Sequence, residues 1–116
     1  MTRTQAALCA LSLCGALWAT AAPAQEPKGD AEAARKGKIS MCIGCHGIED
    51  YHTAFPEVYR VPKIAGQSSA YIAKALQAYR NDERSHPTMR GVAKGLSDQD
   101  IADLAAYYGQ IGRAHV

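Results

Sequence analysis

Two cysteines and a histidine at short spacing are the residues of this chain best placed to do chemistry together. They form the run Cys42-Ile43-Gly44-Cys45-His46. On a helical turn, residues at i, i+3 and i+4 share one face, so both thiols and the imidazole can address one side of a flat group. C-x-x-C-H is the spacing for covalent attachment of a c-type haem, where the thiols form thioethers and the histidine binds the iron.

Three other interpretations of this run fit the sequence less well. A thioredoxin-like C-x-x-C follows a strand in a βαβ unit, and no such unit is visible here. A structural zinc site needs four ligands, usually from two paired motifs, and there is no second pair of this kind. A simple disulfide between Cys42 and Cys45 would leave His46 without a purpose. The sequence therefore predicts one haem c, held through Cys42 and Cys45, with His46 as an iron ligand.

The opposite iron ligand is predicted to be Met89. This residue lies in His86-Pro87-Thr88-Met89, which we predict to be an irregular loop stiffened by proline and distant in sequence from His46. Met41 adjoins the attachment motif and lies on the wrong side. His86 is the runner-up ligand, and His52 is too close to His46 along the chain to reach around the group. A His/Met pair gives a higher reduction potential than a His/His pair.

The first 24 residues have the pattern of a secretory signal peptide. Arg3 precedes a mostly apolar run over 6–18, which is too short to cross a bilayer as a helix, and small residues at 22 and 24 precede polar Gln25. We predict cleavage after Ala24, which removes Cys9 and Cys14, and a mature domain over residues 25–116. Export of such a chain indicates a periplasmic location, without stable membrane insertion after cleavage.

Composition and charge narrow the class further. The chain has 13 Lys and Arg against 11 Asp and Glu, and this mixed charge argues against nucleic-acid binding. Removing 24 of the 116 residues leaves 92, a small domain of the kind that often needs a covalent, metal or cofactor staple. We see no carboxylate pair, catalytic triad or phosphate loop that would indicate an enzyme.

The elements that must hold these residues are predicted to be helical. Asp30 is suited to cap a helix over about 31–40, and Ser68 or Ser69 can cap a second helix that ends at Asn81-Asp82. Ser97 to Asp100 resembles a capping box, and the apolar residues that follow at helical spacing predict a third helix. Irregular stretches over 47–66 and 83–96 separate the helices. Without sustained period-two alternation, the sequence predicts an all-α fold of three main helices and loops around the haem.

With these motifs placed, the chain resembles the class I cytochromes c, and most of all their cytochrome c4 and c553 branch. The resemblance runs from Gly29 to about Ile111, and it is carried by residues 41–47, 61–67, 71–80, 86–89 and 96–108. It implies that the Pro62 carbonyl accepts a hydrogen bond from the proton-bearing ring nitrogen of His46, and this bond fixes the histidine tautomer. It further implies that Ile64 packs on the haem and that Ala34 lies where the first and last helices cross tightly.

Three features depart from this family pattern. Lys38 occupies the position four before Cys42, which is often aromatic in such proteins. The stretch between His46 and Pro62 is longer than in the nearest relatives. Cytochromes of the c4 type often carry two haems, whereas this chain has one C-x-x-C-H.

The resemblance implies a single-haem electron carrier, not an enzyme, that cycles between ferrous and ferric iron in the periplasm. Its partners would be redox proteins such as a membrane oxidase, a cytochrome complex or a periplasmic dehydrogenase. Two alternatives remain open. One is a haem ligand sensor or peroxidase-like enzyme with an open sixth position, and the other is the haem subunit of a dehydrogenase complex.

Overall fold

The structure, a computed structural model, describes residues 25–55 and 57–111. The predicted signal peptide over residues 1–24 lies outside the described residues. Within them, the elements in chain order are α1 (Ala31–Ala33), a π-helical segment (Ala34–Lys38), α2 (Ser40–His46), β1 (His52–Thr53), β2 (Tyr59–Arg60), α3 (Ser69–Arg80), α4 (Pro87–Lys94) and α5 (Asp98–Ile111). No helix in this part of the chain combines the length and the apolar character needed to cross a membrane.

The N-terminal helical run starts where the sequence predicts and ends later. The Asp30 side chain caps α1, Ala31–Ala33, by accepting hydrogen bonds from the backbone N–H groups of Glu32 and Ala33. A π-helical segment, Ala34–Lys38, and then α2, Ser40–His46, continue the run past the predicted end near Ser40. The C-x-x-C-H motif therefore lies on a helix.

The two predicted later helices are present as α3, Ser69–Arg80, and α5, Asp98–Ile111. The predicted capping box at the start of α5 is confirmed. The backbone N–H of Ser97 donates to Asp100 Oδ2 at 2.9 Å, and the backbone N–H of Asp100 donates to Ser97 Oγ at 3.1 Å.

The segment around Met89 is helical, so the prediction of an irregular loop there is wrong. Helix α4, Pro87–Lys94, begins with proline in its first turn, where the missing N–H costs no hydrogen bond. His86 is its N-cap, and its ring nitrogen Nδ1 accepts the backbone N–H of Met89 at 3.4 Å. Met89 thus lies on the first turn of a capped helix.

A short antiparallel hairpin interrupts the predicted loop between His46 and Pro62. Strand β1, His52–Thr53, pairs with β2, Tyr59–Arg60, with His52 opposite Arg60 and Thr53 opposite Tyr59. Two-residue strands leave no alternation for sequence reasoning to detect. The all-α class is confirmed in substance, because this hairpin is the one sheet in the described residues.

The core forms where α5 packs on α3 and on the N-terminal run. Its buried members are mostly apolar residues of α5, together with Ala34, Ile72 and Leu96. Ala34 is fully buried, as the predicted tight crossing requires. Gly29 makes a second close contact, since a β-carbon there would lie 2.2 Å from the carbonyl oxygen of Ala102. This crossing fixes the start of the run that carries the cysteine motif.

Candidate functional site

Helix α2 presents the three motif residues along one short segment. Cys42, Cys45 and His46 are each partly buried, while Met41 and Ile43 between and beside them are about half exposed. Both cysteines are free thiols, so the structure contains no disulfide between them. The partly buried residues lie at positions i, i+3 and i+4, as expected for a helix that turns one face toward the protein interior.

His46 is held by the backbone of the loop that follows the hairpin. Its Nδ1 lies 2.7 Å from the carbonyl oxygen of Pro62. A carbonyl oxygen only accepts hydrogen bonds, so Nδ1 carries the proton and donates. In the neutral form of the ring, Nε2 then has a free lone pair, and this is the form in which histidine binds a metal. This is the hydrogen bond that the family resemblance implies.

Two cavities meet at the motif. Both are lined by Cys42, His46, Pro62, Met89 and Val92. The larger one, which we call the main cavity, extends over Ile64, α3 and α5, and its walls are largely apolar: Ile72, Ala75, Leu76, Tyr79, Leu96, Leu104 and Tyr108. The smaller one, the side cavity, includes Cys45 and residues of the hairpin and of the start of α4. All six sequence-predicted site residues therefore line one or both cavities.

These walls fit a large flat apolar group that is attached at the cysteines. The main cavity opens between helices that a domain of this size would otherwise close with side chains. Tyr108 is 4% exposed, and its hydroxyl is the buried side-chain polar atom that lacks a hydrogen-bond partner among the described residues. Buried hydroxyls are normally satisfied. Among the described residues this one faces the Cys42 thiol, which is only a weak acceptor, so a bound group with an oxygen or nitrogen acceptor would be a stronger partner.

The Cys42 thiol does not have the character of a reactive thiolate. Burial raises the pKa of the Cys42 thiol, and nearby Tyr108 lowers it by less. Reactive C-x-x-C motifs instead depress the pKa of one thiol to favour the thiolate. Since the motif also lies within a helix and not after a strand, a thioredoxin-like role is disfavoured.

The three candidates for the second iron ligand differ in whether they line the cavities that His46 lines. Met89 lines both of them together with His46. His86 lines the side cavity alone, and its Nδ1 is occupied by the cap bond to Met89. His52 lies on the exposed hairpin, where its Nδ1 is 2.9 Å from the carbonyl oxygen of Asp50. Of these three residues, Met89 is the one that lines both cavities together with His46, which makes it the best placed candidate.

Sequence reasoning missed three contributors to the site and its support: Tyr59, Tyr108 and Gly29. The Tyr59 ring lies 4.9 Å from the His86 ring, with 58° between the planes. Tyr108 is one of the residues at helical spacing that predict the third helix, and that pattern assigns no role to its hydroxyl. For Gly29 the sequence shows only that the family resemblance starts there. These roles depend on contacts between distant segments, which no local pattern reveals.

The chain matches a known family over most of its described length. The family model for cytochrome c matches residues 34–111. Cytochrome c-554(548) of Halomonas halodenitrificans is 43% identical over 83 residues, which cover 69% of this chain and 94% of that protein.

Two further relatives differ in how much of their length is matched. Cytochrome c4 of Pseudomonas aeruginosa is 40% identical over 80 residues, covering 69% of this chain and 37% of that protein. The cytochrome subunit of sulfide dehydrogenase of Chlorobaculum tepidum is 31% identical over 98 residues, covering 83% of this chain and 84% of that protein. The chain thus spans most of two of these proteins and less than half of the third.

Proposed function

The chain belongs to the cytochrome c family, and from that premise we propose that it is a periplasmic carrier of single electrons with one haem c between His46 and Met89. Covalent haem c and electron transfer are properties of the family, and the fold is that of a class I cytochrome c. The observation that carries the proposal is that His46 and Met89 line the same two cavities while Pro62 orients His46.

His46 is prepared for binding iron by its hydrogen bond. Donation from Nδ1 to the Pro62 carbonyl holds the ring in one orientation and increases electron density at Nε2. Pro62 has no backbone N–H, so the carbonyl is the one hydrogen-bonding group that this residue offers. The result is a strong, fixed ligand that need not reorient when the oxidation state changes.

Met89 is positioned by the cap of α4. The bond from its backbone N–H to His86 and the proline at position 87 fix the first turn of the helix. A thioether on a fixed turn can occupy one ligand position in both oxidation states. Filling that position excludes small molecules, which suits an electron carrier and not a ligand sensor or a peroxidase.

The two cysteines would hold the group in a domain too small to enclose it. When bound, haem supplies the one-electron redox couple. The protein would contribute thioether attachment through Cys42 and Cys45, iron ligands from His46 and Met89, and the apolar walls, Ile64 among them, that exclude water. Partners would be redox proteins such as a membrane oxidase, a cytochrome complex or a dehydrogenase.

The periplasmic location rests on the predicted leader. Cleavage after Ala24 would leave Gln25 as the first residue, close to Asp30, where the helical run is capped. N-terminal sequencing of the haem-loaded protein from a periplasmic extract tests this point directly. A first residue upstream of the apolar run over 6–18 would contradict it.

A dehydrogenase haem subunit is the second candidate function. It is favoured by the relative named as a cytochrome subunit of sulfide dehydrogenase, which this chain covers over 84% of its length. Size-exclusion chromatography of gently prepared extracts distinguishes the two, because a free carrier elutes at the size of this chain.

The carrier function is tested by exclusion of external ligands. We expect ferric protein to bind cyanide slowly at neutral pH, and voltammetry to show one reversible one-electron wave. The Met89→Ala variant should bind cyanide much faster, whereas Met41→Ala, a half-exposed methionine beside Cys42, should not. Rapid cyanide binding by the unaltered protein would instead support an open-site sensor or enzyme.

A further inference from the structure

The hairpin after the cysteine motif touches the segment that carries Met89 through one aromatic pair. The ring of Tyr59, on β2, lies 4.9 Å from the ring of His86, tilted by 58°. This separation and tilt fall within the range of favourable aromatic contacts. The pair joins two parts of the chain that are distant in sequence.

His86 is fixed from a second direction by the cap bond. Its Nδ1 accepts the backbone N–H of Met89 at 3.4 Å, and its own backbone is extended, as an N-cap requires. The cap bond is long, so the orientation of the His86 ring depends on whatever else restrains it. Tyr59 supplies that restraint.

Tyr59 itself is held by the hairpin register. It pairs with Thr53, whose hydroxyl lies 3.4 Å from the Tyr59 carbonyl oxygen. Beyond the strands, the backbone N–H of Val61 donates to the carbonyl of Tyr51 at 2.9 Å. Asp50 and Arg60 also form an ion pair across the hairpin. These contacts fix the position of Tyr59, so the hairpin can hold the Tyr59 ring against His86.

Tyr59 and the residues that it supports line the side cavity, next to the proposed haem site. Tyr59, His86 and Met89 all line the side cavity, together with Cys45 and His46. Tyr59 is 44% exposed, so one part of its side chain contacts solvent while another closes this cavity. The stretch between His46 and Pro62 thus contributes a residue to the wall of the site.

We propose that Tyr59 is a positioning residue for Met89, and that it acts through its contact with His86 to keep the first turn of α4 in place. This inference rests on the proposed function, because it takes Met89 as the sixth ligand. Loss of the Tyr59 ring would let His86 and the cap relax. Met89 would then spend more time away from its ligand position, without being lost as a ligand.

The rate at which imidazole replaces Met89 in the ferric, haem-loaded protein tests the proposal. We expect Tyr59→Ala to bind imidazole about three- to tenfold faster, in keeping with the size of an aromatic pair contribution. Tyr59→Phe, which keeps the ring, should stay within about twofold of the unaltered protein. The matched control is Phe55→Ala, because Phe55 precedes β2 and is 86% exposed, and its rate should not change.

A double-mutant cycle separates positioning from a general loss of stability. In a His86→Ala background, Tyr59→Ala should add little to the imidazole rate, since the contact through which it acts is already gone. Equal rates for Tyr59→Ala and the unaltered protein would overturn the proposal. So would a Tyr59→Phe variant as fast as Tyr59→Ala, or full additivity in the cycle.

Failure of the proposed function gives a different result. If Met89 is not the ligand, the unaltered protein and Met89→Ala will have the same absorption spectrum and the same imidazole rate. If only the role of Tyr59 is wrong, Met89→Ala will change both and Tyr59→Ala neither.

Discussion

Lys38 Nζ lies 2.6 Å from Asp103 Oδ2, in an ion pair that joins the π-helical segment to α5. The Asp103 side chain is 3% exposed and the Lys38 side chain 28% exposed. Lys38 also contacts Asp100, and Asp103 accepts the backbone N–H of Asp30 at 2.7 Å. Lys38 therefore anchors a polar network over the helix crossing.

Replacing Asp103 should weaken this network strongly. We expect Asp103→Asn to lower the free energy of unfolding by about 2 kcal/mol, because Lys38 and the Asp30 N–H lose a charged acceptor in a buried place. Urea denaturation of the haem-loaded protein measures the change. Glu32→Gln removes an exposed ion pair with Arg35 and should leave stability nearly unchanged. Equal effects of the two variants would contradict the assigned importance of the network.

The same carboxylates predict an acid limit to stability. The Lys38 ammonium, followed by Ser97, holds the pKa of Asp100 well below its usual range. Burial opposes ionisation of Asp103, but bonds from Lys38, the Asp30 N–H and Gln99 outweigh it and keep its pKa lowered.

A lowered pKa in the folded state stabilises the protein above the unfolded pKa, and that stabilisation is lost as pH falls toward the folded value. We therefore expect the free energy of unfolding to fall as pH drops below about 4, the ordinary range of an aspartate. The fall should be shallower in Asp103→Asn. Urea titrations across this acid range check both statements, and parallel curves for the two proteins would be evidence against them.

The crossing below the network should not tolerate a larger residue at Gly29. A β-carbon there would lie 2.2 Å from the Ala102 carbonyl oxygen and 2.9 Å from the Ala106 β-carbon. We expect Gly29→Ala to cost about 1–3 kcal/mol, the usual penalty for overpacking. Gly37→Ala is the control, since no described atom outside its chain neighbours and the backbone of its own helix lies within 4 Å of its β-carbon position, and alanine favours helix. A thermal melt that ranks Gly37→Ala as the less stable variant would contradict this packing.

The Tyr108 hydroxyl should gain a partner when the site is filled. Burial, with a smaller contribution from Cys42, raises the pKa of Tyr108, so the group is a neutral donor at ordinary pH. If a bound group accepts its hydrogen bond, Tyr108→Phe will cost the haem-loaded protein about 1 kcal/mol. If the hydroxyl gains no partner beyond the Cys42 sulfur, Tyr108→Phe will be as stable as the unaltered protein or more so, and this outcome would contradict the fit.

Local signals in the sequence predicted the parts of this fold that local chemistry decides. Asp30 and the pair Ser97 and Asp100 bind neighbouring N–H groups, so their side chains alone mark helix starts. Helix α4 was missed because proline and two glycines suggest a loop, although proline is favoured in a first turn. A histidine is also an uncommon N-cap, so His86 gave no clear start signal.

Contacts between distant segments could not be read from any window of sequence. Lys38 appeared only as a departure from the family, and its partner Asp103 is 65 residues away. The Tyr59 and His86 rings meet because the hairpin folds back, yet its two-residue strands show no alternation. The part of the candidate site that a motif with fixed spacing defines was predictable, whereas the residues that support it from distant segments were not.

The absorption spectrum of the ferric, haem-loaded protein, with Met89→Ala beside it, tests the central claim most directly. If His46 and Met89 hold the iron, the unaltered protein will show the weak long-wavelength band of sulfur-to-iron charge transfer. Met89→Ala will lose that band, and Met41→Ala will keep it. An unchanged spectrum in Met89→Ala would contradict the assignment of Met89 and with it the proposed carrier mechanism.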